Sequence, residues 1–390
     1  MDNLGFGPDL SCTKTDIGPT RVEINLDNIA YNIQQIGRNA TPELKVMAVV
    51  KADGYGHGAI QVARVAARRG VEWLGVAKLE EGVHLRESGI QSPILILGLS
   101  GPTQAQEILK YRLSQAVYTR KLARALSVQA ERLGQTAKVH VELDTGMGRA
   151  GVMPEEATSF FKEISHLQGI KVEGAFTHFS VADKKDKSFT ELQIKRFNAT
   201  IVNLEKEGIP IPLKHAANSA ATLDIPSSYF DLIRPGIMLY GLYPSPEVSH
   251  RPHLKPAMSF KTKVAFLKTV PAHISLSYGR TFTTKKRSRI ATLPIGYADG
   301  YTRALSNKAE VLIKGKRAPV VGTICMNMTL VDVTRIPDAE VGDEVVLFGK
   351  QDGAEISVDE LASKIGTINY EVLCNVGEKG PRVYISEKKA

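Results

Sequence analysis

The chain has 390 residues, 23% of them charged and 43% hydrophobic, with a formal net charge of +9. These figures fit a folded protein of two or three domains with a full core, and they exclude a disordered chain, collagen or a coiled coil. No apolar run approaches the ~18 residues that a membrane-crossing helix needs.

The start of the chain carries Asp2, Asp9 and Asp16 and no apolar stretch, so no secretory signal is expected. Cys12, Cys325 and Cys374 have no metal-ligand spacing and fit a reduced compartment. The expectation is a cytoplasmic protein with no membrane partner and no metal. Basic residues are spread except at Lys184, Lys185 and Lys187 and at Lys285–Arg287, so no nucleic-acid partner is expected.

Strand-like runs then alternate with helical patterns: Leu44–Val50, Trp73–Val76, Ile94–Leu97, Gln115–Val117, Lys138–Leu143, Val172–Phe176, Pro212–Ala216 and Leu232–Leu239. Between them, Ala59, Val62, Ala63 and Ala66 share a helix face closed by Gly70, and Leu122, Leu126 and Ala130 share another before Gly134. Glu155–His166 and Thr190–Glu207 are further helices. Eight such alternations predict an α/β fold with a parallel (β/α)8 barrel of TIM type; an open doubly wound sheet is the alternative.

Beyond Pro256 the texture changes. Alternating runs at Lys261–Val270, Arg289–Pro294, Glu310–Ile313, Val320–Ile324, Leu330–Val333 and Glu344–Leu347 predict a mainly antiparallel β domain. Helices follow at Ser357–Ile365 and Tyr370–Asn375. The expected organisation is an N-terminal segment 1–18, either packed on the β domain or a tail, a barrel over 19–250 and a β domain over 251–390. The crossing falls in the proline-rich stretch Tyr243–Pro256.

Barrel chemistry collects at the C-terminal ends of the strands. The first strand ends in Lys51. A lysine beside a dry barrel mouth has a depressed pKa and can form a Schiff base; a snorkelling lysine is the plainer reading. The fifth strand runs into Asp144–Gly151, where three glycines flank Arg149 and bring backbone close to a ligand or simply turn. The sixth ends in His178. The seventh leads to His215, Asn218 and Ser219, and the eighth to Arg234, Gly236 and Ile237. Loops seven and eight are where barrels bind phosphate. A lysine amine together with a phosphate cradle suggests pyridoxal phosphate, with a sugar-phosphate aldolase as the rival.

The stretch Ala48–Gly58, AVVKADGYGHG, closely resembles the cofactor-lysine signature of bacterial alanine racemases. The likeness continues through Trp73–Ala77, Asp144–Arg149, Arg234–Ile237, Ser277–Gly279, Gly296–Gly300, Cys325-Met326 and Thr367–Glu371, and covers 19–382 in the family's order. It implies a homodimer with shared active sites that uses pyridoxal 5'-phosphate to interconvert L- and D-alanine for peptidoglycan. Lys51 matches the lysine that carries the cofactor. Tyr278 matches the second catalytic base, supplied by the partner subunit, and Met326, also from the partner, helps hold the substrate carboxylate. Arg149 reaches the cofactor's phenolic oxygen and the substrate. Tyr55, Ser219, Gly236, Ile237 and Tyr370 hold the phosphate, a role that also suits Asn218. His178 packs against the ring and supports Arg234, which His215 orients.

Racemisation needs one base on each face of the α-carbon. Arg234 can only donate a hydrogen bond, so the ring nitrogen it faces stays unprotonated and the ring is a weaker electron sink. That arrangement is expected to limit transamination. The sequence departs from many relatives at Glu142, seven residues before Arg149, where they carry a carbamylated lysine. A built-in carboxylate is expected to serve instead. Asn327 replaces a common aspartate and bears on substrate breadth. Cys325 and Trp73 are expected in packing roles, and Tyr297 and Arg303 along the entrance. A broader racemase acting on serine, lysine or arginine shares the architecture. A decarboxylase of basic amino acids would want an acid where Arg234 stands, and a pyridoxal-phosphate carrier would lack the β domain.

Overall fold

The computed structural model describes residues 18–37 and 43–386. The expected N-terminal segment, apart from Gly18, and Cys12 lie outside the described residues. The described chain forms two compact units. One contains 24–258 and 367–378 together with 384–386; the other contains 18–23, 259–366 and 379–383.

The first unit is an eight-stranded parallel barrel. Its strands are β1 (Lys45–Val49), β2 (Trp73–Val76), β3 (Ile94–Ile96), β4 (Ser114–Val117), β5 (Ala137–Glu142), β6 (Ile170–Phe176), β7 (Leu213–His215) and β8 (Leu232–Ile233). They pair in chain order from β1 to β7, and β8 pairs with β1. Between β7 and β8 two bonds replace a regular ladder: Asp231 N–H donates to the Lys214 carbonyl at 3.0 Å and Arg234 N–H to the Ala217 carbonyl at 2.8 Å. Strands covered on both faces are apolar along their whole length, and all four residues of β2 are buried. Met47, Trp73, Leu95 and Leu232 pack together as a core cluster, so Trp73 has the packing role expected of it.

The helices close over this barrel as their periodicity dictates. Ala59–Arg68 buries Ala59, Val62, Ala63 and Ala66. Arg120–Leu133 buries Leu122, Leu126 and Ala130, opens on the Thr119 hydroxyl, which accepts from Leu122 N–H at 3.3 Å, and ends at Gly134. The expected strand Leu232–Leu239 stops after Ile233. Pro235 has no N–H for a ladder, and Ile237–Tyr240 forms a 3-10 turn instead.

The second unit is built on two larger sheets and a two-stranded one that pairs Ser275–Leu276 with Phe282–Thr283. One runs Lys316–Pro319, Glu310–Ile313, Glu344–Gln351, Met258–Lys263, Arg21–Asn25 and Arg382–Ile385, with Ala354–Ile356 paired to Glu344–Gln351. The other pairs Phe266–Val270, Ser288–Leu293 and Thr329–Asp332 antiparallel. Lys261–Val270 is therefore two strands, not one. Val264 N–H donates to Asp343 and Ala265 N–H to Thr292, and the chain changes sheets between them. Val320–Ile324 is not a strand: the pairing segment is Lys316–Pro319, and Val320 makes a single bridge to Val331. The late helices are Val358–Ile365 and Asn369–Lys379, the second longer than its expected span. No helix of the described residues is long and apolar enough to cross a membrane.

Candidate active site

A cavity of about 520 Å³ opens at the C-terminal ends of the barrel strands. Lys51, Tyr55, Arg149, His178, Asn218, Ser219, Arg234, Gly236, Ile237 and Tyr370 all line it. Nine of these come from strand ends and the loops after them, far apart in sequence, and Tyr370 from the helix Asn369–Lys379.

Lys51 directly follows the buried Met47–Val50 run. After it the backbone takes an unusual path. Ala52, Asp53, Gly54 and Tyr55 all have positive φ, between 49° and 64°. Left-handed backbone costs ~1–2 kcal/mol per non-glycine residue, so fixed partners must hold this turn. The Glu81 carboxylate accepts Ala52 N–H at 2.7 Å, and Asp53 Oδ1 accepts Ala59 N–H at 2.7 Å. The amine of Lys51 is held below its usual pKa by burial, with Arg149 and Arg234 adding and Glu81 and Cys374 opposing. A larger share of it is therefore the free amine near neutral pH.

Loops seven and eight meet around Tyr55. The Gly236 N–H donates to Ser219 Oγ at 2.8 Å. A Cβ on Gly236 would lie 2.5 Å from the Tyr55 hydroxyl, so only glycine lets that phenol approach. Tyr55 packs against Tyr240 and Tyr370, with centroids at 4.9 and 5.8 Å. Burial raises the pKa of both Tyr55 and Tyr370, so each is a neutral phenol able to donate. Asn218 caps the short helix Ser219–Asp224, its Oδ1 accepting Ala221 N–H at 3.1 Å.

Arg234 is 4% exposed and held from several sides. It donates to His215 Nδ1 at 2.9 Å, to the Thr177 carbonyl at 2.8 Å and to the Ala216 carbonyl at 3.0 Å, with His178 Nδ1 at 3.4 Å. Its carbon lies 5.3 Å from the Phe176 ring centroid. Burial lowers its pKa to about 10, with Glu142 opposing and Arg149 adding, so it stays a cation at neutral pH. Burial first and Arg234 second push His178 and His215 well below the usual histidine value, so both rings are neutral.

Glu142 also lines the cavity and is 3% exposed. Burial raises its carboxyl to about 7 against the pull of Arg149 and Arg234. The carboxyl expected to be built in here is thus poised near neutrality. Arg149 is exposed on a loop that Asp144 ties back, its Oδ1 accepting from the Gly146 and Gly148 N–H groups at 3.0 Å each.

Tyr278 and Met326 belong to the other unit and do not line this cavity. They are 71% and 56% exposed. Their loops are pinned together, with Ser277 Oγ donating to the Thr323 carbonyl at 2.5 Å and Thr323 Oγ1 to the Tyr278 carbonyl at 2.8 Å. Tyr297 N–H donates to the Cys325 carbonyl at 3.1 Å, and Ser277 Oγ lies 3.5 Å from the Cys325 sulfur.

His140 is the residue that sequence reasoning missed. It bonds His215 at 2.9 Å from two strands away. The signal was there in principle: His140 and Glu142 alternate on β5 and so share one face. Among the described residues, no group of three or more His, Cys, Asp or Glu is placed to hold a metal ion.

The residues present fit pyridoxal 5'-phosphate. The cavity offers an amine with lowered pKa, hydroxyl donors from Tyr55, Ser219 and Tyr370 around the Gly236 approach, and a buried guanidinium.

Known proteins share this architecture. Residues 24–244 match the family model "Alanine racemase, N-terminal domain" and residues 257–384 match "Alanine racemase, C-terminal domain". Alanine racemase 2 of Caldanaerobacter subterraneus subsp. tengcongensis is 48% identical over 371 residues, covering 95% of this chain and 96% of the relative. The alanine racemase of Methanococcus maripaludis is 46% identical, covering 94% and 99%. Among solved structures, alanine racemase of Clostridium difficile 630 superposes with a TM-score of 0.90 at 41% identity, covering 95% of this chain and 96% of that one.

Proposed function

The chain belongs to the alanine racemase family, and from that premise we propose that it interconverts L- and D-alanine with two bases, Lys51 and a Tyr278 supplied by a second copy of the chain, on pyridoxal 5'-phosphate. The observation that carries the reading is Lys51, its amine pKa lowered, in one cavity with the buried, fully donating Arg234. When bound, the cofactor withdraws electrons from the substrate and acidifies its Cα–H.

Every other part falls to the chain. Lys51 works from one face of the α-carbon, where its depressed pKa keeps a larger share of the amine unprotonated and able to act as a base. Tyr278 works from the other. Tyr55, Ser219, Asn218, Tyr370 and the backbone at Gly236 and Ile237 hold the phosphate. Arg149 and the Met326 of the second copy hold the substrate carboxylate. Arg234 donates to the ring nitrogen and gives up no proton there, because its pKa lies well above neutral; His178 and His215 keep it in place. The exposure of Tyr278 and Met326 in the single chain supports their use by another subunit. The assigned parts are the cofactor-binding barrel expected over 19–250, with Tyr370 and its segment 367–378 added to it, and the base-supplying β domain expected over 251–390.

The test is racemisation of L-alanine by the purified protein with pyridoxal phosphate, followed by chiral separation, with serine, lysine and arginine alongside. D-alanine formation that disappears in Lys51→Ala is expected, and the parallel substrates measure the breadth that Asn327 allows. Cofactor binding with no racemisation of any of the four substrates would overturn the two-base reading.

A further inference from the structure

β5 and β7 are not neighbours, yet a side chain of one hydrogen-bonds a side chain of the other across β6. His140 on β5 and His215 on β7 are fully buried, with His140 Nδ1 and His215 Nε2 2.9 Å apart. Two features of β6 open the way. Its register with β5 slips so that Val139 pairs with Val172 but His140 pairs with Gly174, a bulge that re-aims the neighbouring side chain. At Gly174 itself a Cβ would lie 2.7 Å from His140 Nδ1 and 2.5 Å from the Leu213 carbonyl. The space where a side chain would stand is the passage for the hydrogen bond.

The polarity of the chain follows from counting donors. Burial and the nearby Arg234 cation keep both rings neutral, His140 with a pKa of about 3. A neutral imidazole has one donor nitrogen and one acceptor. The guanidinium can only donate, so His215 Nδ1 accepts from Arg234 at 2.9 Å. The His215 proton is then on Nε2 and is given to His140 Nδ1. The His140 proton is therefore on its own Nε2. That atom is buried with no hydrogen-bond partner among the described residues, and the His140 and Trp73 rings stand T-shaped, with centroids at 5.3 Å and planes at 73°.

We propose that His140 is a positioning residue: reached through the opening at Gly174, it accepts the Nε2 proton that Arg234 leaves on His215 and so anchors the His215 ring, and through it Arg234, beside the cavity. The proton Arg234 gives to His215 and the one His215 gives to His140 both run outward from Arg234. Neither histidine has a proton to pass inward to Arg234. The inference rests on the reading that Arg234 faces the cofactor ring, and the experiment separates the two.

The experiment is solid-state 15N NMR of the full chain labelled at histidine, with and without pyridoxal phosphate, between about pH 5.5 and about pH 8.5, where an ordinary histidine would titrate. His140 and His215 should both show the Nε2–H pattern and neither should titrate. An Nδ1–H pattern or a titration at either ring overturns the proposal. His140→Phe keeps a flat ring but offers no acceptor, so the His215 Nε2–H should lose its partner, its 15N signal should shift toward that of an unbonded N–H, and cofactor binding should weaken about tenfold, the loss expected for one hydrogen bond in a charged network. His140→Gln, whose amide oxygen can accept the same bond, should restore both readouts. Equal behaviour of the two variants, with His215 unchanged, also overturns it. The expected tautomers with unaltered cofactor affinity in His140→Phe would leave the network standing and refute the cofactor-facing reading of Arg234 instead.

Discussion

Glu142 shows how far one buried group can depart from what its neighbours alone would impose. Two arginines pull its pKa down, and burial outweighs both to hold it at about 7. The sign for stability follows. The folded chain keeps the proton above the ordinary glutamate value of 4.5, so folding is favoured most below that pH. The contribution is lost as pH rises toward 7. In cofactor-free protein, the melting temperature of Glu142→Gln relative to wild type should therefore be level near pH 4.5 and should rise in favour of glutamine by about pH 8. Calorimetry at several pH values checks this, and a gap that narrows with pH would carry the wrong sign. Because a carboxyl is already present, racemisation should also be indifferent to added bicarbonate. Most of the candidate site was legible at this scale, because Lys51, Tyr55, Arg149 and Arg234 sit in contiguous motifs at strand ends. His140 was not: its partner is 75 residues away, and its role depends on a register slip that no local pattern announces.

Elements were read best where local chemistry and tertiary packing agree. The helix Arg120–Leu133 has its face, its threonine cap and its glycine stop in one stretch of sequence. Leu232–Leu239 looked like one strand because its apolar residues are continuous, and Pro235 ended it. The division of Lys261–Val270 depends on partners at Asp343 and Thr292, far along the chain. Two glycines that end elements make a comparative prediction. Gly134 and Gly241 both adopt left-handed backbone, with φ of 60° and 84°. A Cβ added at Gly134 would meet nothing within 4 Å, whereas at Gly241 that atom would lie 1.9 Å from the Lys255 carbonyl oxygen. Gly134→Ala should cost about 1 kcal/mol, the backbone strain alone. Gly241→Ala must also displace backbone and should cost more than about 3 kcal/mol. Urea midpoints at unchanged slope measure both; similar losses at the two sites would contradict the packing argument.

At the scale of the whole molecule, the proposed chemistry draws on both units. The barrel unit holds the cavity, and its rim includes the exposed Leu99 and Ile368. The other unit exposes Tyr278, Tyr297, Met326 and Met328 on adjoining loops. Clustered exposed apolar surface of that kind marks a contact site. Sedimentation should show a dimer, and specific activity should fall on dilution below its dissociation constant; full activity from a monomer would refute the shared-site arrangement. The proposed arrangement comes only from resemblance, since nothing in one chain's periodicity tells which copy would use Tyr278. It also has a genetic consequence. On the proposed shared-site arrangement, a subunit carrying Lys51→Ala and one carrying Tyr278→Phe should each be inactive as pure dimers. In a hybrid, both lesions should fall in the same site and leave the other site intact. Two defective alleles in one cell should complement, restoring roughly a quarter of all sites if subunits assort freely, while two Lys51 alleles should not.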